Sequence, residues 1–426
     1  MSAPETLRPA RLVTLRLPIW WTFGGLVAGL IAGSLIAGQP VAERILPFSE
    51  PVGALWLRGL QMTIIPLVAA LLVLGITQLA SAARAGATAR RMLVFVAAAL
   101  VFSGLATLIA MPLLLDAVPP PEGAQSLLAA NVEPQAVPGI AEFIKSLIAP
   151  NIIAAAAETA MLPLTIFFAL FAVAITRLPE EQSAILRNFF EAVANAMLLV
   201  IGWVLWLAPV GVFALALGVA VRAGGDAAFL TLLHYILTVA AMGGIVLVAA
   251  FAVGAVRHGP VRFARAMLPA QAVAISTQSS LASLPAMLAT ARRLGIGENV
   301  ADFVLPLSVA IFRATSPAMN LAVAIYVAHL FGIELTLTAM LAGLAVAFVI
   351  SIGSVSLPGT ISFVVSIGPI ALAMGVPVEP LALLVAVEML PDIMRTLANV
   401  TADVALASAT DRETHENDAT DGAPAR

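Results

Sequence analysis

Long apolar runs separated by short polar segments make up most of this chain. Runs of about 20 or more apolar residues are long enough to cross a bilayer as helices. The pattern therefore predicts an all-α membrane protein. Pro163 and Pro209 are predicted to interrupt two of the helices, and Glu43 and Arg44 to lie in the loop after the first. In the first 256 residues the apolar runs lie at 17–38, 52–79, 92–115, 148–178, 190–221 and 229–256.

The second half of the chain alternates short apolar pieces with polar interruptions. The pieces on either side of Ser276–Pro285 and of Ser351–Gly359 are too short to span. Each pair therefore predicts a re-entrant hairpin that enters and leaves from one side. One spanning segment, interrupted at 312–317, separates the two hairpins, so they enter from opposite sides, as inverted repeats do in secondary transporters. If these serine-, glycine- and proline-containing runs were instead ordinary loops, the alternation of basic loops would be broken.

Basic residues set the predicted orientation. Arg8, Arg11 and Arg16 precede the first apolar run, and further arginines follow the second and sixth runs. Basic loops stay on the cytoplasmic side, so both termini are predicted to be cytoplasmic, in the inner (plasma) membrane of a bacterium.

Composition narrows the function classes. The chain has 426 residues, of which 61% are hydrophobic and 11% charged. Its mean hydropathy is +1.04. It contains no cysteine, so disulfides and thiolate metal sites are excluded. Phosphate-binding loops, nucleophile elbows and metal-binding histidine–carboxylate spacings are also missing, which argues against an enzyme, a resident cofactor and ATP-driven transport. No basic, aromatic segment suits nucleic acid.

One polar stripe stands out near the C-terminus. On a single helix its six residues fall within an arc of roughly 100°. An Asp or Arg at mid-membrane costs about 2.5–3.5 kcal/mol, so such residues face a cavity or a partner and mark a transport path. An interhelical polar contact is the alternative. The stripe consists of Glu388, Asp392, Arg395, Thr396, Asn399 and Asp403.

These motifs resemble the glutamate transporter family, the dicarboxylate/amino acid:cation symporters that include the excitatory amino acid transporters. Members have a serine-rich tip on one hairpin and an S-I-G-x-x-x-x-P-G tip on the other, which look like Thr277–Pro285 and Ser351–Gly359 here. Their last helix reads D-x-x-x-D-x-x-R-T-x-x-N-V-x-x-D, which matches the stripe with Glu388 in the first position. The resemblance covers roughly residues 12–410.

The resemblance implies eight transmembrane helices, two re-entrant hairpins, a homotrimer and an elevator mechanism. The implied division is a cytoplasmic N-terminus at 1–16, scaffold helices 1 and 2 at 17–91, transport-domain helix 3 at 92–116, an outer loop at 117–147, scaffold helices 4 and 5 at 148–223, a transport domain at 224–410 and a disordered cytoplasmic tail at 411–426. Within the transport domain, helix 6 precedes an inner hairpin at 258–293, a broken helix 7 at 297–331, an outer hairpin at 335–374 and helix 8 at 377–408.

The resemblance also implies substrate contacts. Arg395 would bind a side-chain carboxylate and Asp392 the ammonium of an amino acid. Members that carry plain dicarboxylates lack the acid, and members that carry neutral amino acids lack the arginine, so the pair favours glutamate or aspartate. The remaining implied contacts are Ser279, Ser280, Ser316, Ser356, Pro358, Gly359, Thr396 and Asn399. The expected partners are this carboxylate substrate, membrane lipid and other copies of the chain. A proton-coupled carrier of C4-dicarboxylates or other carboxylates, a channel and a receptor without transport stay open.

The chain departs from the family at the interrupted helix. Where members have N-M-D-G-T, this sequence has Phe312-Arg313-Ala314-Thr315-Ser316. The Asn and Asp that bind sodium are lost, while Asn399 and Asp403 keep part of a second sodium site. The stripe has three acids and one arginine, formally −2, and Arg313 brings the sum to −1.

We therefore expect Arg313 to act as a tethered cation in place of one sodium ion. Glu388 or Asp403 could then carry a proton, because burial disfavours a charged carboxyl group. The coupling ion is thus a proton or sodium. The alternative is that Arg313 pairs with Asp392 or Asp403 and locks the site.

Overall fold

The structure, a computed structural model, describes residues 13, 18–83, 86–121, 124, 145, 147–223, 225–353 and 359–411. Every regular element within these ranges is a helix, which confirms the all-α prediction for this part of the chain. Five helical segments in it are long and apolar enough to cross a membrane. The predicted terminal segments and most of the predicted outer loop lie outside the described residues.

The described residues of the first half form seven helices. They are α1 (Ile19–Ile36), α2 (Pro40–Ala83), α3 (Ala87–Ala117), α4 (Ile152–Ala157), α5 (Met161–Ile175), α6 (Glu180–Trp206) and α7 (Ala208–Ala223). The prediction of a loop at Glu43 and Arg44 was wrong, because α2 already begins at Pro40 and continues through Pro47 and Pro51. A proline removes one backbone donor but keeps a helical φ, so a long helix can continue through it with a local bend.

Two interruptions in this half come just before a proline rather than at it. Helix α5 begins at Met161, so Pro163 lies in its first turn, and Pro209 likewise lies in the first turn of α7. The first turn of a helix needs no intrahelical N–H donor, and proline is tolerated there. The two predicted breaks therefore exist, but each is displaced by a few residues towards the N-terminus.

The second half forms nine helices among the described residues. They are α8 (Gly225–His258), α9 (Pro260–Thr277), α10 (Ser280–Leu294), α11 (Glu298–Ile311), α12 (Thr315–Leu330), α13 (Leu337–Gly353), α14 (Gly359–Ala373), α15 (Leu381–Leu384) and α16 (Met389–Thr410). Helices α9 and α10 pack against each other, and so do α13 and α14. These pairs correspond to the two predicted hairpins. The tip of the second, with Ser356 and Pro358, lies outside the described residues.

The last helix begins later than predicted. A helix from residue 377 was expected, but α15 is a single short turn and α16 starts only at Met389. Pro391 explains this start, because it has no N–H for the carbonyl of Val387 and is tolerated only in a first turn. Glu388 therefore precedes α16, although its carbonyl still accepts a hydrogen bond from the Asp392 N–H at 2.9 Å.

Helix α16 lies inside the bundle formed by the second half. It packs against α3, α8, α9, α10, α11 and α12. Nearly all of its residues are buried, and α12 is buried to the same degree. Both the apolar and the polar residues of α16 are buried, so protein surrounds the helix and its polar stripe faces neighbouring helices.

A stripe of three glycines lets α1 and α7 approach closely. Gly25, Gly29 and Gly33 recur every fourth residue on α1 and face the backbone of α7. A Cβ atom on Gly29 would lie 2.5 Å from the Phe213 carbonyl oxygen, and one on Gly33 the same distance from that of Leu217. Small residues at this spacing let membrane helices pack tightly without a hydrophobic driving force.

This contact predicts opposite effects for two neighbouring glycines. Gly29→Ala should destabilise the protein by about 1–3 kcal/mol, because the added methyl group overpacks the α1–α7 contact. Gly24→Ala is the matched control, since nothing lies within 4 Å of a Cβ there. Alanine favours helix by up to about 1 kcal/mol over glycine, so the control should be neutral or stabilising. Thermal unfolding in detergent measures both, and equal melting temperatures would contradict the packing argument.

Candidate functional site

The polar stripe of α16 is almost completely shielded from solvent. Asp392, Thr396 and Asn399 are each 5% exposed and Arg395 is 4% exposed. Glu388, one residue before the helix, is fully buried. Burying a charge is costly unless it is paired and hydrogen-bonded, so the partners of these groups define the site.

Arg395 is the centre of this cluster. Its Nη2 donates a hydrogen bond to Glu388 Oε1 at 2.8 Å, and its Nε lies 3.2 Å from Asp392 Oδ1. Its Nη1 donates to Asn320 Oδ1 at 3.0 Å. Two carboxylates therefore share one guanidinium, and the formal charge of the three ionisable groups is −1.

The network extends onto α12 and α8. Asn320 donates through Nδ2 to Ser316 Oγ at 3.1 Å, one helical turn away on α12. On the other side the Tyr235 hydroxyl of α8 lies 3.4 Å from Glu388 Oε2. A continuous chain of polar groups thus runs from Ser316 to Tyr235, and the low dielectric of the interior strengthens each contact in it.

Arg395 retains capacity for a further anion. A guanidinium has five N–H donors, and the three contacts above use one on each nitrogen. One N–H on each Nη then has no partner among the residues that the structure describes. These donors can take an incoming carboxylate, while the net −1 of the cluster attracts a cationic group such as an ammonium.

Asn399 joins the stripe to the interruption between α11 and α12. Its Oδ1 accepts hydrogen bonds from the backbone N–H and from the hydroxyl of Thr315, both at 3.0 Å. Phe312 leaves the helix in an extended conformation just before this contact. Arg313 lies in the interruption and interacts electrostatically with Asp392 and Asp403.

Asp403 has a different environment from the other acids. It is 1% exposed, and neither carboxylate oxygen has a hydrogen-bond partner among the described residues. The hydroxyl of Ser308 lies nearby and donates to the Leu305 carbonyl at 3.0 Å. An anion buried without donors is strongly disfavoured. This site is therefore stable only when a proton or a nearby positive charge compensates Asp403.

The side chains in place do not fit a sodium site. A carbonyl oxygen has two lone pairs, and both lone pairs of Asn399 Oδ1 are used by Thr315. Phe312 and Ala314 have no side-chain oxygen. No group of three or more His, Cys, Asp or Glu side chains that could hold a metal ion occurs in the described ranges. Of the two predicted sodium ligands, only Asp403 has free side-chain oxygens.

Of the predicted hairpin residues that the structure describes, none is hydrogen-bonded to the stripe. Ser279 precedes α10 and accepts a hydrogen bond from the Ala282 N–H at 3.2 Å, while Ser280 is the first residue of that helix. Helices α9 and α10 both pack against α16, while the tip between them is exposed to half-buried. Gly359 begins α14, and its neighbours Ser356 and Pro358 lie beyond the described part.

Sequence reasoning missed three members of the network. Asn320 had a usable signal, because it is an amide in the middle of an apolar helix, four residues after Ser316. Thr315 lies inside the motif that was compared with the family, but its role as a donor to Asn399 depends on the tertiary fold. Tyr235 gave no signal, since a single tyrosine in an apolar helix usually indicates packing.

The shared guanidinium predicts strong energetic coupling between Arg395 and Glu388. Arg395→Gln should cost about 3–5 kcal/mol of stability, because two buried carboxylates lose their counter-charge. Adding Glu388→Gln removes one of those charges and should recover part of the loss, with a coupling energy of about 1–3 kcal/mol. Unfolding of wild type, both single variants and the double variant in detergent measures the cycle. Strictly additive losses would exclude the coupling.

Comparison with known proteins agrees with this picture. The profile of the Sodium:dicarboxylate symporter family matches residues 19–413. The chain is 28% identical over 397 residues to the proton/sodium-glutamate symport protein of Bacillus subtilis, covering 90% of both chains. It is 26% identical to the proton/glutamate-aspartate symporter of Escherichia coli, covering 89% of both. It is also 26% identical to the neutral amino acid transporter B(0) of Oryctolagus cuniculus, covering 92% of this chain and 79% of that one. A match over nearly the whole sequence, together with the all-helical fold, shows that the chain belongs to the sodium:dicarboxylate symporter family of membrane transporters.

Proposed function

We propose that this protein is a cation-coupled symporter of an acidic amino acid, glutamate or aspartate. The observation that carries the proposal is the buried contact between Arg395 and Asp392, at 3.2 Å, inside an apolar helical bundle. A cation and an anion side by side suit a substrate that carries both a carboxylate and an ammonium.

Chemical complementarity supports this assignment. An arginine can bind a carboxylate through two parallel hydrogen bonds, and Arg395 has a donor left on each Nη. Asp392 would bind the ammonium, whose positive charge would offset one of the negative charges of the cluster. Thr396 and Asn399 would contact the main-chain end, together with Ser279, Ser280, Ser316, Ser356, Pro358 and Gly359.

The relatives do not distinguish acidic from neutral amino acids by identity alone. Proteins named for glutamate and proteins named for neutral amino acids both lie near one quarter identity. The choice therefore depends on Arg395, because a neutral amino acid has no side-chain carboxylate for a buried guanidinium to bind.

We further propose the architecture of an elevator transporter for this chain, with eight transmembrane helices, two hairpins and a homotrimer in the inner membrane with cytoplasmic termini. The packed pairs α9–α10 and α13–α14 and the interrupted pair α11–α12 support it. Non-helical backbone at membrane depth is tolerated only where protein or a wet cavity surrounds it, and transporters use such breaks to bind substrates.

A proton is the coupling ion that the geometry favours. Both oxygens of Asp403 lack a hydrogen-bond partner among the described residues, whereas Asn399, the other expected sodium ligand, already accepts two hydrogen bonds from Thr315. Arg313 would serve as the tethered cation, since it interacts with both Asp392 and Asp403. Glu388 is the second candidate proton carrier, although its oxygens already contact Arg395 and Tyr235.

One observation favours a second candidate, a carrier of C4-dicarboxylates. Asp392 Oδ1 already contacts Arg395, so it is partly occupied before an ammonium arrives. A substrate without an ammonium would not need to displace that contact. Competition between labelled glutamate and unlabelled succinate separates the two candidates.

Uptake into proteoliposomes tests the substrate. Labelled glutamate and aspartate should accumulate, saturate and show counterflow, and excess succinate should compete poorly. Asp392→Asn should lower glutamate uptake by about 100-fold or more, because the ammonium loses a charged partner worth about 3 kcal/mol. The same variant should retain or gain succinate uptake. Unsaturable flux would indicate a channel, binding without flux a receptor, and preferred succinate the second candidate.

The coupling ion is tested with two variants under separate gradients. We expect a pH gradient to drive uptake in sodium-free buffer, and a sodium gradient at constant pH to have little effect. Asp403→Asn mimics the protonated acid, so it should abolish pH-driven accumulation while retaining substrate counterflow. If this variant still concentrated substrate in response to the pH gradient, Asp403 would not be the coupling group.

Arg313→Met examines the tethered cation in the same assay. Removing the fixed charge should change the dependence on protons or sodium. Unchanged dependence on proton, sodium and substrate would exclude the tethered-cation role, and a gain of glutamate transport would indicate that Arg313 locks the site.

A further inference from the structure

An apolar cavity of about 390 Å³ lies between α3, α8 and α16. It ends against Phe312 and Ala314 of the interruption between α11 and α12. Its walls contain no polar side chain, so nothing in it suits a carboxylate substrate. The other lining residues are Phe95, Ala98, Ala99, Phe102, Val246, Ala249, Ala250, Ala252, Val253, Ala402, Ala405, Leu406 and Ala409.

The cavity opens on the outer face of the bundle. Phe95, Phe102 and Val253 line it and are 40%, 47% and 46% exposed. In a membrane protein such a face meets lipid acyl chains. Helix α8 and most of α3 also fall outside the scaffold helices that the family resemblance implies, at 17–91 and 148–223.

Two arginines lie one helical turn beyond this cavity, at the end predicted to be cytoplasmic. Arg91 precedes Phe95 by four residues on α3, and Arg257 follows Val253 by four residues on α8. Residues four apart lie on one face of a helix, so both arginines continue the walls of the cavity.

Both arginines converge on the last turn of α16. Arg91 Nη1 donates to the Thr410 carbonyl at 3.3 Å. Arg257 Nη1 donates to the Asp411 carbonyl at 2.5 Å and also to that of Ser408. Ala409, between these acceptors, lines the cavity. The apolar chamber and the two cations therefore form one continuous surface.

We propose that this surface binds an anionic phospholipid of the cytoplasmic leaflet. One acyl chain fills the cavity, and the phosphate contacts Arg91 and Arg257. The guanidinium fork suits phosphate oxygens, and each arginine has donors beyond those given to α16. Basic pockets between helices at the cytoplasmic side are where anionic headgroups bind. Charge and apolar shape together select an amphiphile rather than free phosphate.

The bound chain would also support the interruption that holds Arg313. Its end would pack against Phe312, Ala314 and Ala402, the last of which precedes Asp403. Anionic lipid would thus stabilise the backbone geometry beside the proposed coupling group. The binding itself does not depend on the proposed function, because it can be measured without transport.

Native mass spectrometry of delipidated protein in detergent tests the proposal. Phosphatidylglycerol and phosphatidylcholine with identical acyl chains are titrated separately. We expect at least tenfold preference for phosphatidylglycerol. The variant Arg91→Gln/Arg257→Gln should weaken its binding about 30-fold, at about 1 kcal/mol for each arginine. The matched control is Arg265→Gln/Arg293→Gln, which removes two exposed arginines from the neighbouring helices α9 and α10 and should change little.

A second pair of variants tests the cavity and leaves both arginines in place. Ala249→Phe fills the chamber and should weaken phosphatidylglycerol binding about tenfold, because the acyl chain is excluded. Val248→Phe is its control, since Val248 is 69% exposed and does not line the cavity. This pair matters because the arginine substitutions also remove hydrogen bonds to α16.

Three results would overturn the proposal. Equal binding of the two lipids would exclude recognition of the headgroup charge. Full binding by Ala249→Phe would show that the cavity holds no acyl chain and that the arginines only attract anions. Displacement of lipid by millimolar inorganic phosphate would identify a free-anion site instead.

Discussion

The structure depends on how charges are neutralised inside an apolar bundle. Glu388, Asp392 and Asp403 are removed from water by a chain that has few other charges to offer. Arg395 compensates the first two through direct contacts at 2.8 and 3.2 Å. Asn320 accepts a third contact from Arg395, and the Tyr235 hydroxyl lies 3.4 Å from Glu388. Replacing any member by an apolar residue would leave its neighbours unpaired in a low dielectric, so the network behaves as one unit.

Breaks in the helices supply a backbone hydrogen-bond donor and place charged side chains at the site. The interruption between α11 and α12 releases the N–H of Thr315 for Asn399 and brings Arg313 towards Asp392 and Asp403. An unbroken helix would have used that N–H internally. The late start of α16 has a similar effect, because Glu388 precedes the helix and can reach Arg395 from outside it. Breaks of this kind are stable only because surrounding helices exclude lipid from them.

The sequence predicted this site better than it predicted the partners within it. The stripe on α16 follows from helical spacing, and the short apolar pieces predicted the pairs α9–α10 and α13–α14. The start of α16 was predicted too early, since a long apolar run hides the effect of Pro391. The contact between Arg395 and Glu388 could not be foreseen, because the same arginine was expected to await a carboxylate from the substrate. Which of several nearby acids an arginine contacts depends on tertiary packing.

The residues at the family's sodium-ligand positions also show that sequence alone does not predict tertiary contacts. The sequence alone identifies the loss of two ligands at Phe312 and Ala314. The sequence also retains Asn399 and Asp403, from which we expected part of a second sodium site to be kept. The structure separates these two residues by environment, since Thr315 saturates Asn399 while Asp403 has no hydrogen bond among the described residues. A retained motif residue therefore need not retain its free lone pairs.

Charge arithmetic connects these features to the proposed transport cycle. Three acids and the two arginines Arg313 and Arg395 give the polar site a formal charge of −1. Glutamate adds −1, so the loaded site would carry −2, and one proton would return it to −1. Moving one charge through 100 mV costs about 2.3 kcal/mol, so for a site with equal charge when loaded and empty the electrical work of the loaded crossing and that of the empty return cancel. With Arg313 in place of one sodium ion, a single proton on Asp403 suffices for this balance. A second cation would make the loaded site neutral and its crossing independent of the membrane potential, but would leave the return of the empty site sensitive to it.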